Sequence, residues 1–235
     1  MGQHLEANDI ATAAPVRPGA VDRPVRLVDR AYEQLRDDLV ALRIEPGEPL
    51  DEKRLSASLD VGLTPVRDAI KRLTLERLVV TYPRRGTFAA EISVSDELWL
   101  TEVREDLEGL AAALAAVRAT AAEREELSRL ADLVGSHPSA DHGSTSYIEV
   151  DGAIHRAIYA AAHNPFLEAN LNQYANLAMR IWHYGLRRVA DQPSAGCDQA
   201  EVVAAIVRGD ADAARAGAQA HLRDFSNSVR ALLAH

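Results

Sequence analysis

The chain has 235 residues, 47% of them hydrophobic, with 26 basic and 35 acidic side chains and a net charge of -9. That is enough for two domains with packed cores. No apolar run approaches the roughly 18 residues of a membrane-spanning helix, no basic stretch followed by an apolar one opens the chain, and its single cysteine, Cys197, rules out an intrachain disulfide framework. A cytoplasmic location is the expectation.

Residues 1–23 hold Ala, Pro, Gly and scattered charges without apolar periodicity, and read as a disordered arm. From Leu27 to Arg43, Leu27, Ala31, Leu35, Leu39 and Leu42 recur at spacings of three and four, which predicts an amphipathic helix ended by Pro46 and Gly47. A short helix is expected from Asp51, its N-cap, to Leu59. Gly62 then permits a tight turn, and a third helix runs from Thr64 to Arg77 with Thr64 as cap and Pro65 in the first turn, where the missing N–H costs nothing. Val79–Tyr82 and Thr87–Ile92 have strand character and flank the turn residues Pro83, Arg84, Arg85 and Gly86. Three helices and a hairpin make a winged helix-turn-helix over residues 24–92.

Arg67, Lys71 and Arg72 project from the third helix, the element that enters a DNA major groove in such motifs. The acidic total argues against DNA only until it is divided along the chain. Pro24–Ile92 carries 12 basic and 12 acidic residues, and the remainder from Ser93 carries 12 and 20. A neutral first domain can bind phosphates if Lys53, Arg54, Arg67, Lys71, Arg72, Arg84 and Arg85 share a face.

From Ser93 onward, Ala- and Leu-rich helical segments dominate: from Ser93 or Ser95 to about Thr120, then 122–134, 144–162, 165–189, 197–208 and 210–233. Gly135–Gly143 and Ala190–Gly196 read as loops, and Asn164 before Pro165 as a helix cap. The fold class expected is therefore mainly α, a winged helix-turn-helix followed by an antiparallel all-helical bundle over residues 93–235.

Pro46-Gly47 with Leu50, Leu55-Ser-Ala57, Thr64-Pro-Val-Arg-Asp-Ala-Ile70 and Arg85-Gly86-Thr87 come first. They are followed in order by Glu102-Val-Arg-Glu-Asp-Leu-Glu108, Asp151-Gly-Ala-Ile-His155, Asn164-Pro165, Gly209-Asp210 and His221-Leu222. In this order and spacing they resemble the GntR family of bacterial transcription regulators, in its FadR-like branch with an all-helical effector domain of FCD type. The resemblance implies DNA contacts at Lys53, Thr64, Arg67, Arg85 and Gly86. Many members place an arginine that reaches DNA where this chain has Leu63, and leucine cannot donate to a phosphate or a guanine edge.

Asp151 and His155 are four apart, share a helix face and suit either a metal ion or a plain surface pair. The resemblance implies a divalent ion, zinc or nickel-like, held by an Asp and three His. His221 matches the last of these, while Gln199 stands at the remaining ligand position. That substitution leaves three arrangements: three ligands and water, recruitment of His183, or an organic effector without metal. For Arg104 the resemblance implies a place at the effector cavity, where it would grip a carboxylate; the residues alone equally allow a salt bridge to Glu108 at i+4. Gly-x-Ser-x-Gly, Gly-x-x-x-x-Gly-Lys-Ser and His-Glu-x-x-His are absent, so no enzyme is expected and a metal-dependent hydrolase is the weakest reading. The function expected is a homodimeric repressor, released from a near-palindromic double-stranded operator by a small organic acid. The competing reading is a metal- or small-molecule-binding module with altered DNA readout.

Overall fold

The computed structural model describes residues 27–135, 145–187 and 199–233. The expected arm, most of both expected loops and Cys197 lie outside them. α1 (Leu27–Val40) buries Ala31, Tyr32, Leu35 and Leu39, the stripe read from the sequence. It stops three residues short of Arg43, because Leu42 turns left-handed at φ 57° and the Arg43 and Ile44 amides both donate to the Asp38 carbonyl. These bonds close the helix end before Pro46 is reached.

α2 (Glu52–Leu59) is capped by Asp51, whose carboxylate accepts from the Lys53 and Arg54 amides at 2.8 and 3.1 Å. α3 (Leu63–Leu75) starts earlier than the sequence suggests. Gly62 occupies the N-cap with no side-chain hydrogen bond, so Thr64 is a first-turn residue and not the cap. β1 (Val79–Tyr82) and β2 (Gly86–Ala89) pair antiparallel from Val79 opposite Ala89 to Tyr82 opposite Gly86. β2 ends before Ile92 because the Ala89 and Ala90 amides turn away to the carbonyls of Glu48 and Leu78. Gly47, at φ 77°, faces the Glu91 carboxylate so closely that a Cβ would collide with it.

The second half consists of α4 (Val94–Arg118), α5 (Ala121–Gly135), α6 (Thr145–Ala161), α7 (Pro165–Leu186), α8 (Ala200–Arg208) and α9 (Ala211–Leu233). Ser93 takes the α4 N-cap position, but its hydroxyl bonds Ser95 at 2.7 Å instead of a helix amide. Asn164 caps α7 as expected, accepting from the Phe166 and Leu167 amides. Ala111, Ala112, Ala115 and Ala116 are fully buried and let the neighbouring helices approach α4 closely. α9 runs antiparallel to α4, with Arg223 paired to Glu105 at 2.6 Å and Gly109 lying against Gln219.

α7 joins the two halves. Leu177 packs on the winged-helix core, while Ile181 and Trp182 pack with Val229, Phe225, Leu100 and Ile92. Arg180, 2% exposed, donates to the Leu39 carbonyl at 3.2 Å and the Ala90 carbonyl at 2.6 Å. Seven residues on, Arg187 donates to the Ala41 and Leu42 carbonyls and pairs with Glu45. The Arg187 bonds satisfy the Ala41 and Leu42 carbonyls just past the end of α1, while Arg180 adds a second donor to the Leu39 carbonyl, which also accepts from the Leu42 amide at 3.3 Å. Gln173 reaches the Leu75 carbonyl at the end of α3.

Candidate functional site

Two sets of residues carry chemistry. The first lies on α3. Val66, Ala69, Ile70 and Leu73 bury its inner face, which leaves Leu63, Thr64, Arg67 and Lys71 exposed. Leu63, Arg67 and Lys71 stand four apart and form one ridge. Arg67 Nε donates to Glu52 Oε2 at 2.7 Å, so the start of α2 braces the guanidinium, and its terminal nitrogens have no partner among the described residues. Lys53 is exposed on the adjacent turn of α2. At the hairpin tip Arg84 takes φ 64° and Gly86 φ 102°, a tight turn that leaves Arg84 and Arg85 exposed. The Arg85 guanidinium lies 5.6 Å from the Tyr82 ring. Arg72 does not join this surface: it stacks 3.5 Å over the Tyr32 ring and pairs with Glu76, facing α1. Lys71 is exposed but tied to Asp68 at 3.1 Å.

The second set lies among α4, α6, α9 and the start of α8, with His221, Gln199 and Glu108 buried and Asp151 and His155 half-buried. Donor atoms of Asp151, His155 and His221 all lie within 4.8 Å of one another. Gln199 completes the group and is 2% exposed; its Nε2 donates to Asp151 Oδ1 at 2.5 Å. His155 Nδ1 lies 3.1 Å from Glu108 Oε2 and 3.2 Å from the Tyr159 hydroxyl. Arg104 holds the other Glu108 oxygen through Nε and Nη2 at 2.8 and 2.6 Å. A cleft of about 240 Å³, its open mouth included, is lined by Glu108, His155, Tyr159, Gln199, Val202 and His221 with Ile158 and Ala218. Arg104 stands behind Glu108 and off that wall. The i+4 salt bridge is thus the arrangement that forms.

The structure places Asp151, His155, His221 and Gln199 side by side, the set that the resemblance implies, while sequence reasoning missed Tyr159 and the position of Glu108 against His155. The repeated i+4 spacing of Arg104–Glu108 and His155–Tyr159 was the available signal. His183 does not reach this group. It lies at the domain joint, held below its ordinary pKa by burial and then by the charges of Arg187 and Arg43.

Electrostatics separates the two histidines. Burial disfavours the charged form of both. For His155 that cost is outweighed by the Glu108 charge and hydrogen bond and by Asp151, and its pKa rises. His221 gains less from those carboxylates and is further lowered by His155, so its pKa falls to about 4 and it is neutral at pH 7. Its Nδ1 is buried without a hydrogen-bond partner among the described residues. Burial pushes the Glu108 carboxyl up, but Arg104, His155 and His221 together bring it far below the usual carboxylate range.

Residues 27–89 match the family model described as bacterial regulatory proteins, gntR family, and residues 99–224 match that of the FCD domain. The chain belongs to the GntR family of regulators with an FCD domain. Such proteins are transcriptional regulators, not enzymes; the helix-turn-helix implies DNA binding and the FCD domain implies an effector. The chain is 31% identical over 212 residues to the HTH-type transcriptional regulator YieP of Escherichia coli K12, covering 81% of this chain and 90% of YieP. It is 24% identical over 200 residues to the HTH-type transcriptional repressor RspR of the same strain, covering 85% and 87%. Among solved structures, E. coli McbR/YncC shares the fold with a TM-score of 0.73 at 22% identity, covering 90% of this chain and 99% of that one. No helix among the described residues is long and apolar enough to cross a membrane.

Proposed function

We propose that this GntR-family chain acts as a homodimeric repressor that leaves a near-palindromic operator when a small organic acid enters the helical domain. The observation that carries the DNA half is the exposed α3 ridge with Arg67 braced by Glu52 and the cationic hairpin tip beside it. A two-fold dimer presents two such ridges, so the operator repeats. Leu98, Trp99 and Val103 on α4 are 49%, 64% and 46% exposed, an apolar stretch that supports pairing of two copies. DNA contacts are assigned to Lys53, Thr64, Arg67, Arg85 and Gly86. Arg67→Ala should weaken operator binding by about 1–3 kcal/mol while leaving ligand affinity in the helical domain unchanged. Fluorescence anisotropy on the selected duplex checks this, and equal affinity of the two proteins would count against the assignment.

The buried group fits a divalent cation. Asp151, His155 and His221 offer one oxygen and two nitrogens, His221 keeps a buried nitrogen without a partner, and Glu108 on the far nitrogen of His155 is the outer carboxylate that orients a ligating imidazole. These three would hold the ion. Gln199 would contribute a neutral oxygen after its amide turns from Asp151, which weakens zinc- or nickel-like binding relative to an imidazole. When bound, the ion supplies a Lewis-acidic positive charge. With both histidines neutral, the cluster of Arg104, Glu108 and Asp151 around it then has a surplus positive charge suited to a carboxylate effector. Purified protein should contain a divalent ion by elemental analysis, and His155→Ala should lose it. A metal-free wild-type protein that still responds to its effector would exclude this part.

A further inference from the structure

Leu63 opens α3 with 37% of its surface exposed, and it belongs to none of the three hydrophobic clusters. A single exposed leucine is ordinary on most surfaces. Its place is what matters. It heads the ridge that continues to Arg67 and Lys71, at the N-terminal end of the helix whose first residues meet base edges in a helix-turn-helix. Gly62 before it has no side chain to shield it, and Thr64 after it is exposed and polar. In the major groove every base edge offers a hydrogen-bond donor or acceptor, and only thymine adds a methyl group. Leucine can neither donate nor accept, so against a guanine or adenine edge it would strip water from polar atoms and return nothing. Against thymine it buries a methyl.

Arg67 supplies the complementary reading. Glu52 holds its Nε, which leaves the two terminal nitrogens to address guanine O6 and N7 one helical turn along the ridge. From the exposed apolar tip and the braced arginine behind it, we infer that Leu63 is a specificity-determining residue that reads a thymine methyl beside the base pair addressed by Arg67. This rests on the DNA-binding reading above. It makes the α3 surface a mixed reader, apolar at the tip and charged one turn later.

The test starts from duplexes selected from a random-sequence library by the full-length protein. Each thymine of the enriched half-site is replaced in turn by deoxyuridine, which removes the 5-methyl and keeps every hydrogen-bonding group. Binding of the wild-type protein should fall about three- to tenfold at one thymine per half-site. Leu63→Ser should be insensitive to that same replacement, and Leu63→Arg should select guanine there. A flat uridine scan with the wild-type protein, or an equal loss with Leu63→Ser, overturns the inference. A selection that enriches no duplex overturns the regulator reading and this inference with it.

Discussion

Glu108→Ala should destabilise the helical domain by about 3–5 kcal/mol, because it leaves the Arg104 guanidinium, 4% exposed, without its carboxylate. The same truncation removes one of the two partners of His155 Nδ1 and leaves it the Tyr159 hydroxyl. Chemical denaturation of chelator-treated protein reads this loss directly. The double variant Glu108→Ala with Arg104→Met should recover most of it, since the penalty comes from the stranded charge and not from lost attraction. A single-variant loss below about 1 kcal/mol would refute the account.

The same cluster sets an acid limb. His221 has a folded pKa of about 4 against an ordinary 6.5, so the unfolded chain takes up its proton first and stability falls as the pH drops from 6.5 towards 4. The Glu108 carboxyl lies below its ordinary 4.5, so its contribution is full above that pH and is lost as the pH falls further. His155, with a raised pKa, works the other way: its contribution is present below 6.5 and is lost as the pH rises through its folded value. Melting temperatures of chelated protein should therefore fall between pH 6 and 4. They should fall less steeply in Glu108→Gln below pH 4.5.

Arg180→Met should uncouple the two halves. It removes two charge-assisted hydrogen bonds from a buried joint, each worth about 1.5–3 kcal/mol, and leaves the Leu39 and Ala90 carbonyls without that donor. Burial lowers the Arg180 pKa to about 10 against the charge of Glu91, so the guanidinium stays charged at pH 7 and its bonds to the two carbonyls are charge-assisted. Calorimetry should then separate one melting transition into two, and proteolytic cleavage near Ile92 should accelerate. A single unshifted transition would show that the apolar cluster around Trp182 holds the joint by itself.

Most of the architecture was legible because its determinants are local. The stripe of Ala31, Leu35 and Leu39, the Asp51 and Asn164 caps and the Pro83–Gly86 turn each act within a few residues. What escaped depends on partners far along the chain. α1 ends at Val40 through main-chain bonds to Asp38 that no side-chain pattern announces. Arg72 looks like a DNA contact until Tyr32, forty residues earlier on α1, is seen beneath it. For Arg104 the sequence allows an effector grip and a Glu108 pair equally, and only the tertiary structure shows that the buried pair forms. The Asp151, His155, Gln199 and His221 group was found because family spacing carries tertiary information that periodicity lacks. Tyr159 was missed, and recruitment of His183 stayed open as one of three arrangements, because their helix faces had to be seen.

Arg180 and Arg187 grip the winged helix chiefly by carbonyl oxygens, and every residue has one of those whatever its side chain. The joint therefore places few demands on the sequence it holds. On the DNA-reading role proposed for the α3 ridge, substitutions there would change the sequence read without disturbing the hold of α7 on the winged helix. A winged helix transplanted from a relative should seat on α7 if its first helix ends in the same turn.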